Sequence, residues 1–275
     1  MEPGIYTMSN HDYHHGPGKE SLSKGGLVQM QRSPAHYKAY MEEEQPSTPA
    51  MIFGADFHCA ALEPELFKTR YVVAPQIDKR TKAGKEQFAE LQLSLEENNQ
   101  TIISQDDLDL INRMVESLFK NETAASLLTG GLAETSIFWN HPKWGFGCKV
   151  KPDYLNKNHK VVIDLKSTVD ALPEAFSKAI ANYLYHWQAG WYMAGVDEIL
   201  PNEYNDFIII AIEKKPPFAV QNYLISKDDI YLAEEQIKPL LSRYAECLAN
   251  DTWPGPPDKL QSIRLPNWYV KKALD

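Results

Sequence analysis

The chain has 275 residues, 43% of them hydrophobic and 24% charged, which is the composition of a globular protein with a substantial core. This composition excludes intrinsic disorder that is caused by a high charge content. The 28 lysines and arginines are outnumbered by 37 aspartates and glutamates, which gives a formal net charge of −9. Taken alone, this acidic balance argues against nucleic-acid binding, because phosphate favours a basic partner.

The three cysteines, Cys59, Cys148 and Cys247, are odd in number and far apart. This spacing argues against a disulfide scaffold, a zinc ribbon or an iron–sulfur cluster. The N-terminal residues lack the basic and apolar segments of a secretion signal. The most continuous apolar stretch, residues 207–212, is too short to span a bilayer. We therefore expect a soluble intracellular protein with no membrane partner.

The predicted elements begin with an ordered loop over residues 1–18, which is rich in glycine, proline, histidine and asparagine. A first helix is predicted to start at Ser21 or Ser23, since either serine can cap it. A second helix is predicted at Pro34, because Ser33 before it fits an N-cap followed by proline at the first helical position.

Three further helices are predicted in the first half of the chain, over residues 51–62, 86–97 and 104–119. The last of them opens with a capping-box pattern. Residues 42–49 form a polar connection, and residues 78–85 form a basic loop that leads into the helix at 86–97.

The second half of the chain changes character. Short stretches rich in β-branched and aromatic residues at 134–139, 146–154 and 160–166 predict an antiparallel meander. A long helix is predicted over 173–194, followed by strands at 207–212 and 220–225 and a last helix over 226–249. This order predicts an α/β or α+β fold with a helical N-terminal elaboration, in one domain over residues 1–275.

The residues with the clearest chemistry are Asp153, Asp164 and Lys166. Asp164 and Lys166 are two apart on a predicted strand and therefore share a face, and a hairpin can bring Asp153 beside them. Two carboxylates and an ammonium suit a site for Mg²⁺ or Mn²⁺. The alternative is that Asp153 caps a turn while the other two form a solvated pair. The apolar strand around Asp164 favours the site, because charges on a buried strand point into a cleft.

These residues resemble the motif of the PD-(D/E)xK nuclease superfamily, with Asp153, Asp164 and Lys166 in the motif positions. Within it the chain is similar to the RecE (exonuclease VIII) type of phage recombination nuclease, and more distantly to lambda exonuclease and the RecB nuclease domain. The resemblance implies a restriction-endonuclease-like core, with a central mixed sheet flanked by helices. The segments that carry it are EPGIY, SNHDYHHGPG, GADFHCAALEPELF, Arg70 with VVAP, KRTKAGKE, LAETSIFW, CKVKPDY, DLKST, YHWQ and LPNWY.

The resemblance also implies roles for single residues. His58, Asp153, Asp164 and the backbone carbonyl of Leu165 are implied as metal ligands, for two Mg²⁺ ions per site with Mn²⁺ as a substitute. The implied catalytic residues are Lys166, Asp164, Asp153 and Gln188. A lone histidine on a helix is more often a packed or surface residue, and the GADFH segment is what favours a ligand at His58.

DNA contacts are expected from Ser23, Tyr192, Lys149 and Lys151, and from a basic cluster of Lys79, Arg80, Lys82 and Lys85. Ser23 could equally be an ordinary helix cap, and the cluster could be a solvated loop. Glu134 matches a family position near the cleft and could equally be a structural residue at a strand end. A metal site at His11, His14 and His15 is rejected as the main interpretation.

The resemblance implies an exonuclease that digests linear double-stranded DNA 5′ to 3′ and leaves a 3′ single strand. A RecT-like single-strand annealing recombinase is the expected partner, a ring-shaped homo-oligomer the expected assembly, and the cytoplasm of a bacterial or phage-infected cell the expected location. The alternatives are a RecB-like or CRISPR-associated nuclease of other polarity and a catalytically idle DNA-binding member of the fold. The acidic net charge then no longer excludes DNA, because several acids are predicted ligands of a divalent cation.

Overall fold

The computed structural model describes residues 1–43, 46–73, 75, 77–78, 80–267 and 269–270. The helices in these residues are α1 Asn10–His15, α2 Lys24–Arg32, α3 Pro34–Glu42, α4 Pro49–Leu62, α5 Pro64–Arg70, α6 Lys82–Glu97, α7 Gln105–Lys120, α8 Glu122–Leu127, α9 Pro173–Asn182, α10 Tyr185–Ile199 and α11 Lys227–Asn250. The strands are β1 Gly4–Thr7, β2 Tyr71–Val73, β3 Thr101–Ile103, β4 Leu132–Ala133, β5 Thr135–Asn140, β6 Gly147–Val150, β7 Tyr154–Asn156, β8 Val161–Thr168, β9 Asp206–Glu213 and β10 Val220–Leu224. Among these described helices, none combines the length and the apolar character needed to cross a membrane.

The central sheet has the strand order β10–β9–β8–β7–β4. It is a mixed sheet, because β8 and β9 run parallel while the other neighbouring strands are antiparallel. Helices α2, α3, α9, α10 and α11 pack on one face, and α4, α5, α7 and α8 pack on the other. The predicted α/β core, with a central mixed sheet flanked by helices, is confirmed.

The alternation of side chains along β8 places the acidic motif. Ile163 and Leu165 point into the hydrophobic cluster under α4 and α7, whereas Val162 points into the cluster under α10. Asp164 and Lys166 share the face of Val162, since residues two apart on a strand lie on the same side. The strand therefore directs both charged side chains towards α10.

A second, three-stranded sheet has the order β1–β5–β6 and adjoins the central sheet where two strands bend. Glu134 alone separates β4 from β5, and residues 151–153 separate β6 from β7. At the bend the backbone of Glu134 has φ 48°, and its N–H donates to the carbonyl of Asp153 at 2.9 Å. The predicted continuous strand at 146–154 is therefore wrong, because its two ends belong to different sheets.

The predicted single helix at 173–194 is also wrong, because α9 and α10 are separate helices. The break lies at Tyr183 and Leu184, and Leu184 adopts a left-handed conformation with φ 53° and ψ 47°. A left-handed residue ends the run of right-handed helical hydrogen bonds, so α10 starts in a new direction.

The N-terminal helices begin where the serines predict. Ser23 caps α2 by accepting from the N–H of Gly26, and Ser33 caps α3 with Pro34 at its first position. The predicted loop over residues 1–18 instead contains β1 and α1. The predicted basic loop is shorter than expected, because α6 already begins at Lys82.

Candidate active site

The buried strand β8 presents Asp164 and Lys166 to the start of α10. Asp164 is only 1% exposed, and the ammonium of Lys166 lies 2.5 Å from its Oδ2 atom. The side-chain amide of Gln188, in the first turn of α10, donates to Oδ1 of the same carboxyl group. Burial raises the pKa of Asp164 to about 6, against the opposing charge of Lys166. Two elements thus hold the two oxygens of this carboxylate.

Three further side chains, from α4 and from the bend between the sheets, converge beside this pair. His58, Glu134 and Asp153 each offer one ligand atom, and these atoms all lie within 4.8 Å of one another. Nδ1 of His58 is 3.5 Å from Oδ1 of Asp153 and 4.0 Å from Oε1 of Glu134. The N–H of Leu165 donates to Oδ2 of Asp153 at 2.7 Å, which ties the cluster to β8.

The electrostatics of the cluster couple these groups. Burial disfavours the charge on His58, but the Asp153 carboxylate outweighs burial and the pKa of His58 rises to about 9. Burial also works against the Asp153 carboxylate, yet His58 and Lys166 hold the pKa of Asp153 below its usual value. Burial and the nearby Asp153 raise the pKa of Glu134, although Lys151 opposes them with an ion pair of 2.9 Å.

The donor set fits a hard divalent cation. Carboxylate oxygens are the ligands that Mg²⁺ and Mn²⁺ prefer, and an imidazole nitrogen is compatible with Mn²⁺. Oδ2 of Asp164 is buried, and the Lys166 ammonium 2.5 Å away occupies one of its two lone pairs, so the other lone pair remains for a cation. His58, Glu134 and Asp153 would hold the metal, with Asp164 beside them.

The structure brings together most of the residues that the sequence singled out for metal binding and catalysis. His58 and Asp153 lie in the three-residue cluster, and Asp164 lies next to it. Glu134, which the sequence left open as a structural residue, is the third member of the cluster. Leu165 joins the site through its N–H, and the ligand role of its carbonyl stays a prediction.

Gln188 lies where the motif predicts, against Asp164. Tyr192 lies one turn further along α10, and burial raises the pKa of Tyr192 well above its usual value, while Gln188 opposes this rise. The contact of Tyr192 with DNA stays a prediction.

Two of the lysines predicted to contact DNA are largely buried and pair with oxygens of the protein itself. Lys149 is only 4% exposed, and its ammonium donates to the carbonyl of Tyr13 at 2.7 Å, so it fixes the N-terminal segment. The side chain of Lys151 is 10% exposed, and it bridges Glu134 at 2.9 Å and the Asn10 amide oxygen at 2.5 Å. Both lysines therefore make contacts within the protein. The alternation of side chains along a strand could not predict these contacts, because the N-terminal segment that covers both lysines is distant in sequence.

The basic cluster is accessible. The side chains of Arg80 and Lys82 are 97% and 93% exposed, and Lys85 is exposed as well. Lys79 lies outside the described residues. Ser23 is the N-cap of α2, and its contact with phosphate stays a prediction together with those of the three basic residues.

The family of the chain follows from a sequence comparison. Residues 23–266 match a family described as a PDDEXK-like domain of unknown function (DUF3799). The chain belongs to this PDDEXK-like family. The match supports the predicted PD-(D/E)xK superfamily, and it does not single out the RecE type. No curated protein matches the chain significantly in sequence.

The fold of this PDDEXK-like protein resembles that of a solved structure. A candidate exonuclease from Eubacterium rectale is 11% identical, with 96% of this chain and 98% of that chain covered at a TM-score of 0.63. At this identity the likeness shows a common fold. A phage-related exonuclease from Haemophilus somnus 129PT is 12% identical, with 65% of this chain and 91% of that chain covered at a TM-score of 0.35.

Two residues near the site were not singled out from the sequence. The first is Lys24, at the start of α2, which donates to the carbonyl of Tyr183 at 2.8 Å. The second is Tyr185, whose ring centroid lies 5.1 Å from the ammonium of Lys166. The sequence signal for Tyr185 is the Tyr-x-Tyr pattern at 183–185, which leads into the motif segment of Gln188.

Proposed function

We propose that this PDDEXK-like protein is a metal-dependent exonuclease that digests linear double-stranded DNA 5′ to 3′ and leaves 3′ single-stranded overhangs. The observation that carries the proposal is the convergence of His58, Glu134 and Asp153 beside the Asp164–Lys166 pair. Family membership and the resemblance to phage recombination nucleases support the choice of DNA ends as the substrate.

In this mechanism the protein residues hold and orient the reacting groups. A bound Mg²⁺, at two ions per site, would supply Lewis-acid polarisation of the scissile phosphate. His58, Glu134 and Asp153 would hold the metal, and Gln188 fixes the direction of the Asp164 carboxylate. The ammonium of Lys166 lies partly exposed beside that carboxylate, where it can stabilise the negative charge that develops on the phosphate.

DNA binding by an acidic protein needs local positive charge. The exposed side chains of Arg80, Lys82 and Lys85 are proposed to contact the DNA backbone, with Ser23 at the start of α2. Because the acids of the site repel phosphate until a cation offsets their charge, DNA binding should depend strongly on divalent metal. Tight binding in EDTA at physiological salt would contradict this dependence.

The test compares two lysines that each pair with an aspartate. Lys166→Met removes the ammonium beside Asp164, whereas Lys227→Met removes one from the surface pair with Asp206, where the ions are 2.9 Å apart. On a linear duplex with Mg²⁺, Lys166→Met should abolish digestion while Lys227→Met digests at the wild-type rate. Separate 5′ and 3′ end labels report the polarity. Full activity of Lys166→Met would refute the assigned roles.

The assembly and the setting of this activity are also proposed. A ring-shaped homo-oligomer would keep the enzyme on one duplex, and a RecT-like annealing recombinase in the same cytoplasm would take over the exposed 3′ strand. Light scattering of the purified chain should give the mass of a trimer or a tetramer, and a monomer that digests processively would contradict the ring.

A further inference from the structure

The junction between α9 and α10 carries two stacked tyrosines beside the catalytic lysine. The rings of Tyr183 and Tyr185 have centroids 5.6 Å apart and planes inclined by 27°. Tyr185 in turn lies with its ring centroid 5.1 Å from the ammonium of Lys166. Tyr183 is 63% exposed, so the pair forms a short ladder from the active site to solvent.

The backbone at this junction is strained in a way that creates the stack. Residues two apart on a continuous helix do not face each other, so an unbroken helix through 183–185 would separate the two rings. Leu184 between them adopts the left-handed conformation, which is unfavourable for a bulky L-residue. Strained backbone of this kind concentrates at functional sites, where the surrounding structure maintains it.

The surrounding structure does maintain this conformation. The ammonium of Lys24 donates to the carbonyl of Tyr183 at 2.8 Å, and the N–H of Tyr183 donates to the carbonyl of Ala179 at 2.9 Å. The side chains of Leu184 and Tyr185 pack against the hydrophobic core under α10. The Tyr183 ring, by contrast, is held over Tyr185 with most of its surface in water. The strained conformation of Leu184 therefore exposes an aromatic face and buries little of the Tyr183 side chain.

We infer that Tyr183 is a stacking platform for an unpaired nucleobase of the strand whose phosphate is cut beside Lys166. This inference rests on the proposed nuclease function and names the feature of DNA that the site reads. An aromatic ring can stack with any base, because every base has a π-face. It can take only a base that has left the duplex stack, so Tyr183 holds the terminal nucleotide in its separated state.

An alternative is that Tyr183 is simply an exposed aromatic residue, since single exposed apolar residues are common on protein surfaces. The two interpretations differ in what the ring does for DNA binding. A stacking ring increases the affinity only for a strand that carries bases, and phenylalanine can replace tyrosine in this role. A surface residue without this role does not affect DNA affinity, whether or not the strand carries bases.

The experiment measures binding of the full chain to a fluorescein-labelled oligothymidylate with phosphorothioate links, which resist hydrolysis, in Mg²⁺. Tyr183→Ala should weaken binding about 5- to 150-fold, which corresponds to stacking of about 1–3 kcal/mol. Tyr183→Phe should bind within about twofold of wild type. Tyr231→Ala is the control, because Tyr231 is also 62% exposed but lies on α11, and it should bind like wild type.

Two further measurements separate stacking from a structural effect. A strand of the same length with abasic sites should bind wild type as weakly as Tyr183→Ala binds the normal strand, and the variant should not distinguish the two strands. The fluorescence of 2-aminopurine at the terminal position should be quenched by wild type and by Tyr183→Phe, but not by Tyr183→Ala.

Three results would overturn the inference: normal binding by Tyr183→Ala, an equal loss on the abasic strand, or no rescue by phenylalanine. These are distinguishable from failure of the proposed function. A wild-type chain that neither binds nor digests DNA in Mg²⁺ refutes both proposals. A wild-type chain that digests linear duplex while Tyr183→Ala binds normally refutes the platform alone.

Discussion

The buried position of Lys149 can be tested through the pH dependence of stability. The ammonium of Lys149 is buried, and its hydrogen-bond acceptors are carbonyl oxygens, which carry no full negative charge. Its ammonium donates to the carbonyls of Tyr13 at 2.7 Å and Lys19 at 3.4 Å, and the side chain lies over the ring of Tyr13. Burial lowers the pKa of Lys149 from 10.5 to about 8, only partly offset by Glu20. The folded protein therefore loses this proton at a lower pH than the unfolded chain does.

The sign and size of the effect follow from proton linkage. Between pH 8 and 10.5 the unfolded chain binds a proton at Lys149 that the folded protein does not bind, so the free energy of unfolding rises with pH. Each pKa unit is worth about 1.4 kcal/mol, which gives a rise of at most about 3.5 kcal/mol across this range. Below pH 8 the penalty for burying the charge is present in full, and above pH 10.5 it is absent.

The assay is urea unfolding of the wild type and of Lys149→Met at pH 7, 8, 9 and 10. Because methionine cannot titrate, the difference between the free energies of unfolding of the wild type and of the variant should shift in favour of the wild type as the pH rises above 8. Lys157→Met is the matched control, since Glu203 raises the pKa of that exposed lysine and no such gain should follow. Parallel pH profiles for wild type and Lys149→Met would refute the burial of an ammonium here.

Three further predictions concern the site. Gln188→Leu removes the donor to Oδ1 of Asp164, a charge-assisted hydrogen bond of about 1.5–3 kcal/mol. We therefore expect kcat to fall about 10- to 150-fold with an unchanged circular-dichroism spectrum, and an unchanged kcat would contradict the positioning role of Gln188. His58→Ala should weaken Mn²⁺ binding at least about tenfold in a calorimetric titration, and equal affinity would remove His58 from the ligand set. Arg80→Ala should lower the slope of log K against log salt for DNA binding by about 1, whereas a wild-type slope would mean that Arg80 contacts no phosphate.

Local patterns explain what the sequence could predict of this molecule. Ser33 and Pro34 mark the start of α3 because capping and proline geometry depend on neighbouring residues alone. The shared face of Asp164 and Lys166 follows from the two-residue period of a strand, and the structure places the ammonium 2.5 Å from the carboxylate. These predictions needed no knowledge of the tertiary structure.

Tertiary contacts explain what the sequence could not predict. The break at Leu184 occurs in an apolar stretch without glycine or proline, so helix propensity gives no sign of a left-handed residue. The burial of Lys149 depends on a carbonyl 136 residues away in the chain, at Tyr13. The place of Glu134 in the metal cluster depends on a bend that joins two sheets, which a pattern of alternating residues does not reveal.

The bend at Glu134 and Asp153 also determines where the chain can tolerate insertions and deletions. The two residues pair through the backbone at the point where both strands change sheets, so their side chains keep their positions when the far end of the hairpin changes length. Extra residues at the tip, between β5 and β6, leave the bend untouched. One extra residue between the bend and the β5–β6 pairs would turn every following side chain to the opposite face and carry Lys151 away from Glu134. Length differences among relatives should therefore collect at residues 141–146 and avoid the strands on either side.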